Sequence, residues 1–366
     1  MTVPPLSSPR PRGWRSPILV CIAVGLVAGT CGCWISYGLH AGLGELGVLL
    51  GSEPIEDVLA EGDLDEDTRA KLEYVLDVRA YAVDVLGLNG GDSYTTFYDS
   101  HGQDVLYNVS ACRKDELVAR VWSFPIVGDF EYLGFFDEDK ARARVERLEA
   151  NGWDVFLYPP DGYSTVGWFV DPLFSAALYR DAIDLADLVI HELTHNTVFV
   201  SGDSVFNESL ATFVGRTGAK NYLTGRFGAD SDIVAIIAER WADTDLYNQF
   251  WIELYLALEA FYAREDLTSE QKIAQREDIF AEFKQRFEDE WLPAMNDPHR
   301  YGGVPYAEFD NALVMIQRRY NLDIELFQAV YDELGQDLAA AIRIFAASAG
   351  APDPKQYLRD WVAARQ

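Results

Sequence analysis

The chain has 366 residues, of which 49% are hydrophobic, 13% aromatic and 24% charged, a composition that can bury a substantial core and excludes predominant disorder. Acidic residues number 59 against 30 basic ones, giving a net charge of -29; such a surface repels phosphate, so we expect no nucleic-acid partner. Four cysteines, three of them before residue 34, are too few for a disulfide framework, and Cys112 is expected to be an inert, partly buried thiol.

The first 40 residues have the pattern of an export signal, a lipoprotein signal or a membrane anchor. Three arginines, Arg10, Arg12 and Arg15, precede an uncharged run over residues 17–35. About 19 apolar or small residues can span a bilayer, and the preceding arginines stay on the cytoplasmic side. We therefore expect a membrane-anchored protein whose remainder is extracytoplasmic, on the periplasmic or cell-surface side. Two forms stay open, a lipidated Cys33 and an uncleaved transmembrane helix.

Residues 41–366 are predicted to form a single α+β domain, because no long or Pro/Gly-rich linker divides them. Helical spacing of apolar residues predicts a helix from residue 45 to about residue 89, ended by Gly90 and Gly91. Four short β-prone runs come next, at residues 94–98, 105–109, 132–136 and 154–158. The last two enclose a helical segment, which predicts a strand–helix–strand unit.

The second half of the chain is predicted to be almost entirely helical from Asp171 to the end. It includes long amphipathic segments at residues 231–263 and 269–291. The predicted fold class is therefore α+β and predominantly helical, with a small mixed sheet in the amino-terminal half.

The most informative segment is His191-Glu192-Leu193-Thr194-His195. Two histidines four residues apart on a helix differ in direction by only about 40°, so both imidazoles can bind one metal ion. Glu192, the next residue, can reach water at an open zinc position and act as general base. The flanking residues are apolar on most sides of the helix, which predicts a buried and rigid support. We expect His191 and His195 to be zinc ligands and Glu192 to be catalytic.

A second helix is predicted to begin after the turn at Ser201-Gly202 and to supply the third zinc ligand. Glu208, in the first turns of that helix, is the predicted ligand, and Asp203 is placed as its N-cap. Asp203 and Asn207 are also candidates for contacts that fix the orientation of the imidazoles or the carboxylate, which metal sites commonly require.

Residues 191–211, HELTHNTVFVSGDSVFNESLA, resemble the bacterial family of predicted zinc-dependent aminopeptidases, membrane-anchored HExxH proteins of the glutamate-zincin type. The resemblance extends to residues 93–94, 124–128 and 163–172, and to Cys33 followed four residues later by Tyr37. It implies a zincin-like metallopeptidase fold, a peptide substrate and Zn²⁺ as cofactor. It also implies the same roles for four residues: His191, His195 and Glu208 as ligands, and Glu192 as catalytic residue. The lipid-attachment motif before Cys33 departs from the family pattern.

The group that stabilises the oxyanion of the transition state is not specified by motif spacing. A tyrosine, histidine or arginine opposite the zinc would serve. Tyr163, just upstream of the metal helix, is the first candidate, and His299 and Tyr301 are alternatives.

An outward-facing zinc aminopeptidase is the favoured function. An endopeptidase of the same class and a non-catalytic zinc-binding surface protein are the alternatives. A di-iron carboxylate protein is excluded, because it needs a second Glu-x-x-His, and no histidine other than His195 has glutamate three residues before it. The identity of the peptide substrate and the oligomeric state are left open by the sequence.

Overall fold

The computed structural model describes residues 42, 44–61, 64–124, 128–160, 170–319 and 323–365. The predicted anchor at residues 17–35, the lipidation candidate Cys33 and the candidate Tyr163 lie outside these ranges. Within them, no helix combines the length and apolar character needed to cross a bilayer.

The helix predicted from residue 45 to about residue 89 is not continuous in the structure. The segment instead contains a helix at residues 44–51, then β1 (Glu53–Pro54), α1 (Ile55–Ala60) and α2 (Glu66–Asp84). Pro54 interrupts the first helix because it has no N–H to donate. Asp65 starts α2 afresh, since its side chain accepts a hydrogen bond from the Thr68 N–H at 2.9 Å. The predicted apolar face is nevertheless buried in α2, at Leu72 and Val75.

Short strands occupy most of the region before residue 175. They are β2 (Thr96–Tyr98), β3 (Tyr107–Arg113), β4 (Trp122–Phe124), β5 (Gly128–Phe130), β6 (Tyr132–Phe135), β7 (Trp153–Tyr158) and β8 (Leu173–Phe174). They form three small sheets rather than the one predicted, in the orders β1-β2-β8, β6-β3-β7 and β4-β5. The first sheet is mixed, because β2 is antiparallel to β1 and parallel to β8. The sequence pattern located β2, β3, β6 and β7. The strands that it missed, β1, β4, β5 and β8, have two or three residues each and show too little alternation to predict.

The predicted strand–helix–strand unit is confirmed. Helix α3 (Glu138–Glu149) connects β6 to β7, and both strands pair antiparallel with β3, one on each side. Strands β6 and β7 therefore run parallel to each other, with α3 as the crossover. Ala141 and Leu148 of α3 pack against Val109 and Leu133 of the sheet. Strands β6 and β7 are the two edges of this sheet.

The region after residue 175 is helical, as predicted, with short 3₁₀ turns between the helices. In chain order the helices are α4 (Ala182–His195), α5 (Ser204–Phe227), α6 (Asp232–Tyr262), α7 (Ser269–Arg286), α8 (Pro298–Tyr301), α9 (Asn311–Arg319), α10 (Ile324–Glu333), α11 (Leu338–Ser348) and α12 (Pro354–Ala363). The long predicted segment at residues 231–263 is α6. The one at residues 269–291 is α7 with a π-helical extension, Phe287–Trp291. The described chain is thus predominantly helical with small sheets.

Buried polar contacts fasten the sheet that contains β7 to the carboxyl-terminal helices. Asp154 of β7 accepts a hydrogen bond from Arg276 of α7 at 3.0 Å and one from the Asn311 N–H of α9 at 3.1 Å. Both charged side chains are buried, with 5% of each exposed. A buried ion pair with further hydrogen bonds fixes geometry, because leaving one partner alone in the interior is costly.

Helices α4 and α5 pack closely along their length, and two glycines of α5 make this possible. A Cβ atom at Gly215 would lie 3.0 Å from the Asp187 carbonyl oxygen and 3.1 Å from the His191 Cβ. A Cβ atom at Gly218 would lie 3.0 Å from a methyl group of Ile190. These contacts are tighter than side chains ordinarily make, so the absence of side chains at both positions sets the distance between the two helices.

We predict that Gly215→Ala separates α4 from α5, because the added methyl meets the backbone of Asp187 and the Cβ of His191. Its free energy of unfolding should fall by about 1–3 kcal/mol, the usual cost of overpacking. Its affinity for divalent zinc should fall as well, since His191 is displaced. Urea unfolding and a zinc titration measure the two effects.

Gly225→Ala is the matched control on the same helix, because no atom lies within 4 Å of a Cβ built there. It should leave zinc binding unchanged and stabilise α5 by up to about 1 kcal/mol, the helix-propensity gain of alanine over glycine. Equal behaviour of the two variants would contradict the proposed role of Gly215.

Candidate metal centre

Helix α4 presents both histidines in its last turns. Its N-cap is Asp181, whose carboxylate accepts hydrogen bonds from the N–H groups of Ile183 and Asp184 at 3.0 and 3.1 Å. The predicted apolar residues of α4 are all buried, so the helix lies inside the molecule. His191 and His195 extend from one face of this buried helix, as their spacing predicts.

Glu208 extends from α5 toward the two histidines. Its Oε2 lies 3.4 Å from the Nε2 of His191 and 3.6 Å from the Nε2 of His195. The two Nε2 atoms are 3.3 Å apart. The three side chains are largely buried, with between 9% and 16% of each exposed. The structure therefore brings together the three residues predicted as ligands.

The donor set fits a zinc ion in its chemistry and its spacing. Two imidazole nitrogens and one carboxylate oxygen are ligands that zinc binds at about 2.0–2.2 Å, in tetrahedral geometry. Ligands at that distance and angle are about 3.3–3.6 Å from one another, which is the range that the three atoms span. Among the described residues, these three form the group of His, Cys, Asp and Glu side chains able to hold a metal ion, and no fourth such side chain joins them.

Backbone contacts hold the loop between α4 and α5 and thereby place Glu208. Asp203 is the N-cap of α5, as predicted, and accepts a hydrogen bond from the Phe206 N–H at 2.9 Å. Asn207 accepts from the N–H of Val200 and donates to its carbonyl oxygen, both at 2.8 Å. The hydrogen bonds described for Asp203 and Asn207 go to backbone groups. Both residues therefore fix the loop, and their predicted role in orienting the imidazoles or the carboxylate stays a prediction.

The charges of the site are strongly coupled. Burial lowers the pKa of His191, but the hydrogen bond with Glu208 and the negative charge of Glu192 raise it more, to about 9. Burial raises the pKa of Glu208, but the charge of His195 and hydrogen bonds from both histidines hold it well below its usual range. Glu208 is thus ionised, and a metal ion that binds His191 has to compete with a proton that this histidine holds more tightly than a free imidazole does.

Glu192 lies beside the ligands, with 7% of the residue exposed. Its pKa is raised by burial first, and the charges of His191 and His195 oppose that effect. A carboxylate kept near a metal centre in a poorly hydrated position, with a raised pKa, is suited to accept and return a proton.

Tyr132, on the edge strand β6, is a neighbour of the site that sequence patterns did not indicate. Burial and then the charge of Glu208 raise its pKa, so its hydroxyl stays protonated. Its ring lies 5.5 Å from the guanidinium carbon of Arg319. The carbonyl oxygen of Arg319 accepts a hydrogen bond from Ser209, the residue after Glu208, at 2.9 Å. These contacts place the β6 edge against the start of α5.

The other oxyanion candidates are placed differently. Tyr301 lies 3.2 Å from the Thr244 hydroxyl and packs on Tyr247, in the helical core around α6. His299 is exposed on α8. Neither contact involves the histidine pair, and Tyr163 lies outside the described residues. Tyr132 is accordingly a candidate in place of these tyrosines, because the charge of Glu208 acts on its hydroxyl.

Fold and site together define a mainly helical protein with a potential metal centre built on two adjacent helices. A family model described as "Putative aminopeptidase" matches residues 36–357, and the chain belongs to that family. The resemblance seen in the sequence is confirmed at this level, and membership supports peptidase activity in general terms. Comparisons with curated proteins and with solved structures found no significant match.

We predict that the metal-free protein loses stability as the pH rises from 6.5 to about 9. His191 has an ordinary pKa of 6.5 and a folded-state value of about 9. A group whose pKa is raised on folding stabilises the protein fully below its unfolded pKa and loses that contribution as the pH passes the folded pKa. Urea unfolding in the presence of a chelator measures this decline.

Zinc affinity should increase between pH 6.5 and about 9, because fewer protons compete for His191 as the pH rises.

The His191→Gln protein should show a smaller loss of metal-free stability between pH 6.5 and 9. His101→Gln, at an exposed histidine, should behave as the wild type does. A wild-type protein whose metal-free stability stays constant between pH 6.5 and 9 would show that the pKa of His191 is not raised in the folded state.

Proposed function

We propose that this chain is a zinc-dependent peptidase in which His191, His195 and Glu208 hold the metal and Glu192 is the general base. The observation that carries the proposal is the three-donor group, which no fourth side chain of the described residues completes. Catalytic zinc sites typically have three protein ligands and one open position, whereas structural sites have four. Membership in a family described as aminopeptidases supports peptide hydrolysis as the reaction.

Zinc bound there would supply a Lewis acid that acidifies water and polarises a substrate carbonyl. Glu192 would accept the proton of the attacking water and then deliver it to the leaving amine. The Tyr132 hydroxyl, which stays protonated beside Glu208, would donate a hydrogen bond to the oxyanion that develops on the substrate. Helices α4 and α5 hold the two histidines and the two glutamates rigidly, so little reorganisation is needed during the reaction.

The proposal includes a location and a domain organisation. Residues 17–35, preceded by three arginines, would hold the chain at the membrane, and residues 41–366 would form one zincin-like domain on the extracytoplasmic side. Both rest on the sequence. Protease added to intact cells, after permeabilisation of an outer membrane if one is present, should digest the protein. Full-length protein found in the soluble cytoplasmic fraction would contradict the location.

Zinc content tests the ligand assignment. His191→Ala, His195→Ala and Glu208→Ala should each lose stoichiometric zinc, because each removes one of three donors. His101→Ala is the matched control, since this histidine is exposed, and it should retain one zinc per chain. Elemental analysis of the purified proteins gives the result, and full zinc in the His191→Ala protein would refute the assignment.

The general base is tested separately from the metal. Glu192→Gln keeps the size of the side chain and removes its basicity, so zinc should be retained while peptide hydrolysis falls by about 100-fold or more. Glu149→Gln, on the exposed end of α3, should keep both. Equal turnover by the wild type and Glu192→Gln, with zinc present in both, would show that Glu192 is not the base. Zinc binding by a wild type that hydrolyses no peptide would favour the non-catalytic alternative.

A further inference from the structure

A cavity of about 130 Å³ borders α4 about one helical turn before Glu192. Ten of its thirteen lining residues are apolar, and the other three are Tyr94, Asp104 and Arg180. Its buried wall consists of Tyr94, Pro172, Leu173, Ala177 and Leu188. Asp104 and Pro159 are exposed, so the cavity meets solvent on their side. A mainly apolar wall with few polar groups is typical of a site that binds an apolar group.

Leu188 places this cavity on the face of α4 that carries the candidate metal centre. At about 100° per residue, its direction differs by about 40° from that of Glu192 and by about 60° from that of His191. Four residues of α-helix rise by about 6 Å. The cavity therefore lies beside the general base and the first predicted ligand, one turn closer to the start of the helix.

Tyr94 connects the cavity to the general base. The residue lines the cavity and is 2% exposed. Burial, and then the negative charge of Glu192, raise the pKa of its hydroxyl well above the usual range. Its backbone has a φ of 59°, which residues other than glycine rarely adopt, and its N–H donates to the Asp171 carbonyl oxygen at 2.7 Å. Such a conformation persists only where the surroundings hold it, so the ring has a fixed position.

Hydrogen bonds fasten the wall of the cavity to the end of α4. Asn196, the residue after His195, donates from Nδ2 to the Ser93 hydroxyl at 3.3 Å. That hydroxyl donates to the carboxylate of Asp171, the residue before Pro172, also at 3.3 Å. The segments that contain Tyr94 and Pro172 are therefore held at a set distance from the candidate metal centre, and the cavity is formed before any substrate binds.

We propose that this cavity binds the side chain of the substrate residue whose carbonyl group is attacked, and that it favours an aliphatic side chain of the size of leucine. The inference rests on the proposed peptidase function and adds the side-chain preference of the same site. A dry cavity of about 150 Å³ holds a benzene ring. A cavity of about 130 Å³ therefore has room for a branched aliphatic chain and too little for an indole ring.

The distance between the cavity and the general base fits this residue of the substrate. A leucine Cδ atom lies four bonds from the carbonyl carbon of its own residue, on the order of 5 Å in the extended form. The rise from Leu188 to Glu192 is about 6 Å, so a carbonyl held at the metal centre leaves its side chain within reach of the cavity. A charged side chain would lose its hydration against the apolar wall, which disfavours it.

The test compares the 7-amido-4-methylcoumarin derivatives of leucine, glycine and tryptophan. The zinc-loaded full-length wild type should have the highest kcat/KM on the leucine derivative, by at least about 10-fold over glycine, because even one buried methylene can supply that ratio. Ala176→Leu adds an isobutyl group from the half-buried side of the cavity. It should lower kcat/KM for leucine to near the glycine value and leave the glycine value and the zinc content unchanged.

Two further variants make the test specific to the cavity. Ala143→Leu adds the same group at an exposed position of α3 and should leave the three substrates unaffected. Leu106→Ala removes a half-buried lining side chain and should raise the kcat/KM of tryptophan relative to leucine. An unchanged ratio of leucine to glycine in Ala176→Leu would overturn the proposal. If that variant does not fold, an unchanged ratio of tryptophan to leucine in Leu106→Ala would overturn it.

Binding separates this inference from the peptidase proposal. Calorimetry on the zinc-loaded proteins measures the affinity for leucine hydroxamate and glycine hydroxamate, whose chelating groups bind zinc and differ only in the attached side chain. A wild type that hydrolyses none of the substrates would contradict the peptidase, while a tenfold preference for leucine hydroxamate that Ala176→Leu abolishes would still support the cavity. Equal hydrolysis of the leucine and glycine substrates, with equal binding of the two hydroxamates, would support the peptidase and overturn the cavity assignment.

Discussion

Gly215 and Gly218 let the backbone of α5 lie directly against α4, and the metal centre depends on that contact. His191 and His195 are fixed relative to each other by four residues of one helix. Glu208 belongs to a different helix, so its distance from the histidines is set only by how closely the two helices pack and by the loop between them. Asn207 fastens that loop to the backbone of Val200. The absence of side chains at Gly215 and Gly218 and the amide of Asn207 thus bring Glu208 to the two histidines, which completes the three-donor site.

The electrostatics of the site follow from the same burial. Glu192, Glu208 and the two histidines are mostly removed from water, and the charge of the buried Asp171 also acts on Glu192. Such a concentration of carboxylates repels itself in a medium of low polarity. A divalent metal ion among the ligands would offset part of this repulsion. The acidity of this part of the interior therefore favours a cationic ligand between the two histidines and Glu208.

The parts of the site that sequence could predict are those encoded by local spacing. The two histidines and Glu192 lie within five residues, and Glu208 follows on the next helix with its N-cap Asp203, so helical periodicity and capping rules were sufficient. The side chains of Asp203 and Asn207 bond to backbone groups of the nearby loop, so their predicted role in orienting the ligands stays a prediction. Tyr132 could not be identified, since strand pairing and contacts between distant segments decide its position. The same limit applies to the fold. Long helices were predicted from their periodicity, whereas the break at Pro54 and most of the shortest strands were not.

The division of the site between the two halves of the chain has a functional consequence. The predicted ligands and the general base all belong to α4 and α5, which are buried helices. Tyr132, the group that would contact the oxyanion of the substrate, comes instead from the edge strand β6. Side chains on packed helices keep their geometry, whereas loops and strand ends tolerate change. Changes in the amino-terminal half can therefore alter substrate contacts while the α4–α5 pair keeps the geometry of the three-donor group.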